Sequence, residues 1–287
     1  MAIERVGVVG CGLMGSGIAE VCARAGRDVV VREVDSGMIE AAELRIQKSI
    51  QRGVKSGKLS EEDAAATLGR IRFAKAYDEL SDRELVVEAV VESPGEKVAV
   101  FASLDEVLAS EDAILASNTS SIPIMKLAMA TRRPHAVCGL HFFNPVPVLE
   151  LVELVPSLLT SEETVSRAAE FVGEVLGKRV VYSKDRAGFI VNQLLIPYLL
   201  SAIRMVESGF ATQEDIDTGM IKGCAHPMGP LALTDLIGLD TTLAVAESLY
   251  EEFKEPLYAP PPLLARMVEA GLLGRKTGRG FYEYASR

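Results

Sequence analysis

The stretch Gly10-Cys11-Gly12-Leu13-Met14-Gly15 constrains this chain more than any other. It has the form G-x-G-x-x-G, which also arises by chance as an ordinary glycine turn, so its flanks decide. Before it, Arg5 to Val9 is a short apolar run that reads as a strand. After it, Met14 to Ala25 carries apolar residues at helical spacing. A strand turning through glycines into a helix opens a βαβ dinucleotide unit. The first glycine permits the tight turn, the second lets the backbone approach a pyrophosphate, and the third lets helix and strand pack closely. Gly10, Gly12, Leu13, Met14 and Gly15 are therefore expected to meet phosphates at a helix N-terminus. Asp28 to Arg32 (DVVVR) reads as the second strand, with Glu33 at its end. An acid there can accept both ribose hydroxyls and repel a 2′-phosphate, which favours NAD. The neighbouring Arg32 can pair with a 2′-phosphate, which leaves NADP open.

The alternation continues. A helix is expected from Ser36 to about Ser56 and another from about Gly95 to Leu108. Leu85–Glu88, Ala113–Ala116 and Val137–Leu140 read as buried strands. Such a pattern implies right-handed crossovers and a mostly parallel sheet. After about Asp185 it changes. Phe189 to Val206 reads as a helix apolar nearly all round, Thr212 starts a helix over Gln213–Lys222, and only Gly280-Phe281-Tyr282 suggests a strand. The expected architecture is α/β: a Rossmann-type, doubly wound sheet domain over 1–184, then a smaller all-helical domain over 185–287. The apolar helix suggests burial between partners, that is, a homodimer.

Several classes fall away. The net charge of −10 argues against a nucleic-acid surface. No apolar run reaches membrane-span length, and the N-terminal residues enter a strand pattern without the parts of a secretory signal. Cys11, Cys22, Cys138 and Cys224 lack metal-ligand spacing and read as thiols of a cytoplasmic protein, with no metal expected. The acidity is nevertheless uneven. Arg45, Lys48, Arg52, Lys55 and Lys58 follow one another at helical spacing, with no acid from Leu44 to Ser60. Such a stripe is either a solvated helix face or the seat of a second polyanion, such as the phosphorylated ADP tail of coenzyme A. Gly53 and Gly57 are expected to end that helix.

Of three histidines, His135 lies in a polar loop and His226 precedes a proline. His141 follows an expected strand at its carboxyl end, where open α/β sheets place their ligands. Imidazole is suited to taking an alcohol proton near neutrality. If Leu149 to Leu154 is a strand, Glu153 shares a face with Leu149 and Leu151, and His141 is the obvious partner for that carboxylate. Ser117 to Ser121 clusters hydrogen-bonding groups at another strand end, or caps a following helix. Asn192 lies inside the apolar helix as a structural bridge or a ligand contact.

These motifs together resemble the L-3-hydroxyacyl-CoA dehydrogenases, most of all the short bacterial 3-hydroxybutyryl-CoA dehydrogenases. The matching stretches are GCGLMGSGIAE (10–20), VVEAVVE (86–92), LASNTSSIPI (115–124), GLHFFNPVPVLELVEL (139–154), KDRAGFIVNQLLIPYL (184–199), HPMGPLALTDLIGLDT (226–241) and GRKTGRGFYEY (274–284). The resemblance implies NAD and an acyl-CoA substrate in a cleft between two domains, the second dimerising. It makes His141 the general base, Glu153 its partner, and Ser120 and Asn192 the substrate-orienting hydroxyl and amide. It places Glu92, Lys97, Ser120, Asn144 and Lys276 along the nicotinamide half or the substrate, and Ser49 and Lys55 against coenzyme A. Two rival readings remain: a sugar-acid 3-dehydrogenase, which has no need of the basic stripe, and a non-catalytic NADH-binding protein on the same fold. The chain also reads as a complete, stand-alone enzyme, because it leaves no room for the hydratase domain of a multifunctional protein.

Overall fold

The computed structural model describes residues 2–284; Met1 and residues 285–287, at the outer ends of the two expected domains, lie outside the described residues. Contacts divide the chain into two compact units, Met1–Asp185 and Arg186–Arg287.

The first unit is built on an eight-stranded sheet: β1 (Arg5–Val9), β2 (Asp28–Arg32), β3 (Ile71–Ala74), β4 (Leu85–Glu88), β5 (Ile114–Ser117), β6 (Val137–Phe142), β7 (Leu151–Pro156) and β8 (Arg179–Tyr182). Their order is β3-β2-β1-β4-β5-β6-β7-β8. All neighbours pair in parallel except β6 and β7, which run antiparallel. The helices of this unit are α1 (Leu13–Arg24), α2 (Ser36–Lys55), α3 (Glu61–Gly69), α4 (Pro94–Val107), α5 (Ile124–Ala128) and α6 (Glu162–Glu170). This is the doubly wound arrangement, and the strand order reverses between β1 and β4, where such sheets open a crevice for ligands. The central strands are buried along nearly their whole length. Covered on both faces, they read as continuous apolar runs rather than alternating ones.

Local chemistry sets the helix starts. Asp35 caps α2 through the Met38 N–H (2.8 Å), and Ser60 and Ser161 cap α3 and α6 through Asp63 and Thr164. The helix after Ser117–Ser121 is not capped from within that cluster. Instead, the Asp185 carboxylate accepts the N–H groups of Ile124 (2.7 Å) and Met125 (2.8 Å). Gly53, expected to end α2, lies inside it.

The second unit is helical: α7 (Val191–Glu207), α8 (Gln213–Gly223), α9 (Pro230–Ile237), α10 (Leu239–Phe253) and α11 (Pro262–Glu269). Its core gathers Ile196, Leu200, Ile203, Leu231, Leu239, Ala246, Leu249 and Leu264. Thr212 caps α8 as its sequence position suggests. The expected strand at Gly280–Tyr282 does not form; only isolated bridges join Gly274 to Arg279 and Arg279 to Glu283. The reason is Asp235, a carboxylate 1% exposed. It accepts the N–H groups of Phe281 and Tyr282 (both 2.9 Å), the donors a ladder would have used, and also the Tyr284 hydroxyl (2.9 Å). Among the described residues, no helix is long and apolar enough to cross a membrane.

Candidate active site

The glycine turn has the shape that a pyrophosphate requires. Gly10 sits at φ +83°, and a side chain there would strike Ala89 and Val90. A Cβ on Gly15 would lie 1.9 Å from the Gly10 carbonyl, so helix and turn meet only because it is absent. Gly12 opens onto free space. The α1 N-terminus has no side-chain cap and no acid in its first turn. These are the conditions under which helix amides and dipole receive an anion. Glu33 stands beside this turn, 8% exposed. It accepts the Cys11 N–H (2.5 Å) on one oxygen and the Val34 N–H (3.1 Å) on the other. Each carboxylate oxygen has a second lone pair, so these bonds orient the acid without exhausting it for ribose hydroxyls. Arg32, the possible 2′-phosphate partner, is turned elsewhere. Its Nε donates to the Lys75 carbonyl (3.0 Å) and its guanidinium lies 4.2 Å from the Tyr77 ring centre.

The basic stripe divides. Arg45 donates to the Cys11 carbonyl (2.7 Å) and so braces the glycine turn rather than facing a second ligand. Lys48, Arg52, Lys55 and Lys58 are exposed, and among the described residues none of the four forms an ion pair. Ser49, half-buried, faces the Glu20 carboxylate. Glu20 is 2% exposed, its Oε1 lies 3.5 Å from Arg24, and its Oε2 has no hydrogen-bond partner. Burial pushes its pKa up, against the opposing pull of Ser49 and Arg24. A carboxyl whose pKa is higher in the folded than in the unfolded chain costs stability once ionised; that cost shrinks as pH falls below the folded value and is gone below the unfolded one. Glu20→Gln is therefore expected to raise the melting temperature at pH 7 by roughly 2–4 °C, the equivalent of about 1 kcal/mol in a chain of this size. The gain should vanish in acid, below the ordinary carboxylate range. Thermal melts across pH check this, and a gain independent of pH would contradict it.

At the other side of the switch point lies a buried ionic network. The Lys97 ammonium, 1% exposed, lies between Glu88 Oε1 (2.6 Å) and Glu92 Oε2 (3.2 Å). Glu92 also accepts from the Thr119 hydroxyl, the Ser120 N–H (3.0 Å) and the Ser121 hydroxyl (3.1 Å). Burial works against its charge, but the Lys97 ammonium and these donors outweigh it and hold its pKa below the ordinary range. Lys97, expected along the cofactor or substrate, thus has its ammonium inside the fold. Glu88 was not singled out from the sequence, although it stands in VVEAVVE at the end of a strand, a position that could have marked it.

The strands β6 and β7 bring His141 directly opposite Glu153. Residues paired in this way put their side chains on one face. His141 Nδ1 lies 2.7 Å from Glu153 Oε2, the ring 7% exposed and the carboxylate fully buried. Antiparallel register, rather than the C-terminal strand end alone, makes this pair. The strand carrying Glu153 starts at Leu151, so Leu149 lies before it and is exposed. The Asn118 side chain accepts the Phe142 N–H (2.9 Å), tying the Ser120 turn to the His141 strand. Asn144 is exposed in the loop after β6. His135 is exposed and His226 hydrogen-bonds Tyr198 (3.1 Å).

In the second unit, Asn192 is half-buried in the first turn of α7. The Lys276 ammonium is held by both oxygens of Asp240 (2.6 and 2.5 Å).

Comparison with known proteins agrees over nearly the whole chain. The 3-hydroxyacyl-CoA dehydrogenase NAD binding domain matches residues 5–186, and the 3-hydroxyacyl-CoA dehydrogenase C-terminal domain matches residues 188–284. A 3-hydroxybutyryl-CoA dehydrogenase of Mycobacterium tuberculosis is 60% identical over 283 residues, 99% of each chain. The crystal structure of M. tuberculosis FadB2 superposes with a TM-score of 0.98 at 60% identity, covering 99% of this chain and 100% of the other. That of (S)-3-hydroxybutyryl-CoA dehydrogenase PaaH1 from Ralstonia eutropha gives 0.93 at 46% identity, over 99% and 100%. With its glycine turn, its His–Glu pair and both of the family's domains in order, the chain belongs to the 3-hydroxyacyl-CoA dehydrogenase family, whose first domain binds NAD.

Proposed function

We propose that the chain interconverts (S)-3-hydroxyacyl-CoA and 3-ketoacyl-CoA, with the four-carbon 3-hydroxybutyryl-CoA as its expected substrate. The observation that carries this is the buried His141–Glu153 pair on adjacent strands of a NAD-binding sheet. A bound nicotinamide would supply the hydride chemistry at C3 of the substrate, in either direction. The residues handle the proton. With Nδ1–H donated to Glu153, neutral His141 presents Nε2 as the acceptor, and it takes the proton of the 3-hydroxyl. Glu153 then stabilises the imidazolium that forms and keeps the ring from rotating. In reverse, that imidazolium protonates the oxygen of the 3-keto group. Ser120 and Asn192 orient the substrate, and Glu92, Asn144 and Lys276 serve the nicotinamide half. Lys97 enters as the counter-charge of Glu92. Ser49 and Lys55 take the phosphorylated tail of coenzyme A, beside the exposed cations of α2.

The C-terminal domain, expected over 185–287, is the dimerisation part of this reading. Leu194 and Phe210 are large apolar side chains 72% and 77% exposed, which a partner copy would cover. Cytoplasmic residence is consistent with four free cysteines.

The test is a kinetic series of 3-ketoacyl-CoA substrates from four carbons upward, with NADH and NADPH, followed by loss of nicotinamide absorbance. Acetoacetyl-CoA with NADH is expected to give the highest kcat/KM. Preference for a free sugar acid would transfer the chain to the rival class, and tight NADH binding without turnover of any acyl-CoA would make it a binding protein.

A further inference from the structure

Glu88 is fully buried at the end of β4. It sits at the switch point, with its backbone paired to Val9 of β1 on one side and Ser117 of β5 on the other. Both oxygens of its carboxylate are hydrogen-bonded. Oε1 accepts from the Lys97 ammonium (2.6 Å) and the Val90 N–H (2.7 Å), and Oε2 accepts from the Ser117 hydroxyl (2.6 Å). Ser117 Oγ in turn accepts the Thr119 N–H (3.1 Å), and the Thr119 hydroxyl donates to Glu92. Glu92 returns to Lys97. The contacts therefore close a ring: Glu88, Ser117, Thr119, Glu92, Lys97 and back. Two carboxylates share one ammonium inside it, and only Glu92 keeps an appreciably exposed side chain, at 39%.

A buried carboxylate is tolerated only when paired and hydrogen-bonded, and two of the three partners here, Lys97 and Ser117, themselves hold Glu92 and the turn that carries Ser120. We infer that Glu88 is a positioning residue. By fixing Lys97 and Ser117 it aims the Glu92 carboxylate and the Ser120 turn at the nicotinamide end of the dinucleotide, while touching neither cofactor nor substrate. This rests on the assignment of that end of the site in the proposed function. The ring adjoins the glycine turn only through backbone, Glu88 pairing with Val9 and Gly10 packing on Ala89 and Val90, and a glutamine at position 88 leaves that backbone in place. The glycine turn joins β1 to α1 and Glu33 follows β2, whereas the side chains of the ring come from β4, β5, α4 and the loops after the two strands. Disturbing the ring should therefore weaken one half of the dinucleotide and spare the other.

Two ligands read the halves separately: NADH, and ADP-ribose, which lacks the nicotinamide. In Glu88→Gln the Lys97 ammonium has only Glu92 to neutralise it and draws that carboxylate away from Thr119 and Ser120. The dissociation constant for NADH is expected to rise about tenfold and that for ADP-ribose to stay within about twofold, as befits loss of positioned hydrogen bonds to a charged group. A structural role alone would weaken both ligands together or neither, and either result overturns the proposal. Because Glu88→Gln strands a buried ammonium, the double variant Glu88→Gln/Lys97→Met, which removes both charges at nearly constant volume, is measured beside it. It should regain the parent melting temperature yet keep the selective loss of NADH, since Glu92 has lost its anchor. Recovery of parent NADH affinity in the double variant would show that Glu88 only neutralises Lys97, and would overturn the proposal even if the single variant does not fold. The binding ratio needs no acyl-CoA. A parent that binds NADH but does not reduce acetoacetyl-CoA defeats the proposed function and leaves the Glu88 result readable, whereas a parent that binds neither NADH nor ADP-ribose defeats both.

Discussion

Replacing His141 by glutamine is expected to lower turnover of acetoacetyl-CoA by about 10³- to 10⁴-fold, at the upper end of what general acid–base catalysis supplies. Glutamine approximates the size and polarity of imidazole and can still hydrogen-bond Glu153, but it cannot take up a proton near neutrality. The loss should therefore appear in kcat and kcat/KM together, the mark of an interaction made in the transition state. NADH affinity should remain within about threefold of the parent, because a lost contact worth more than a fraction of a kcal/mol would have to lie on the cofactor itself. The glycine turn between β1 and α1 and Glu33 after β2, the proposed seat of the adenosine half, lie on other elements than His141, which belongs to β6. Stopped-flow turnover with fluorescence titration of NADH measures both quantities. Equal loss of turnover and NADH binding would make His141 a structural residue, and retained turnover would remove it from the reaction.

The parts of this molecule that sequence reveals are those whose physics is local. The strands at Arg5–Val9, Asp28–Arg32 and Leu85–Glu88 stand out because a strand covered on both faces must be apolar throughout. The edge strands Ile71–Ala74 and Arg179–Tyr182 do not, because one side of each meets solvent and their polar residues break the run. Thr212 is legible as a cap because its target is three residues away. Asp185 and Asp235 do the same work across about 60 and 46 residues, and nothing near either acid announces its partner. The false strand at Gly280–Tyr282 follows from that blindness. The site divides in the same way. The His141–Glu153 pair can be guessed because a carboxylate on an apolar face demands a partner and only one histidine is well placed. The ring around Lys97 cannot, since VVEAVVE contains two acids and only the fold decides that Glu88 is enclosed while Glu92 reaches the surface. Arg45 teaches the converse. Helical spacing groups it with Lys48 and Arg52, but its reach to the Cys11 carbonyl assigns it to the glycine turn.

Glu153→Gln should be nearly as damaging as the loss of the imidazole, about 10³-fold in turnover, equivalent to roughly 4 kcal/mol of transition-state stabilisation. Two effects act together. The fully buried carboxylate lies 2.7 Å from His141 Nδ1 and offers that nitrogen only acceptors. It therefore fixes the tautomer with the proton on Nδ1 and leaves Nε2 to receive the alcohol proton. A glutamine amide can turn its NH₂ to the ring instead, which moves the ring proton to Nε2 and blocks the acceptor. If the amide oxygen is turned inward, the tautomer survives, but the imidazolium formed during reaction faces a neutral dipole rather than an anion in a site where water cannot compensate. Either orientation raises the barrier, and neither alters the glycine turn, so NADH binding should survive. Stability separates this role from a merely structural one. Glutamine keeps the size of the glutamate side chain and one oxygen acceptor, so a folded Glu153→Gln protein with a melting temperature within a few degrees of the parent is expected to be catalytically crippled. Such a protein turning over at the parent rate would dissolve the pairing, because the geometry would then be an ordinary cross-strand hydrogen bond that the chemistry does not use.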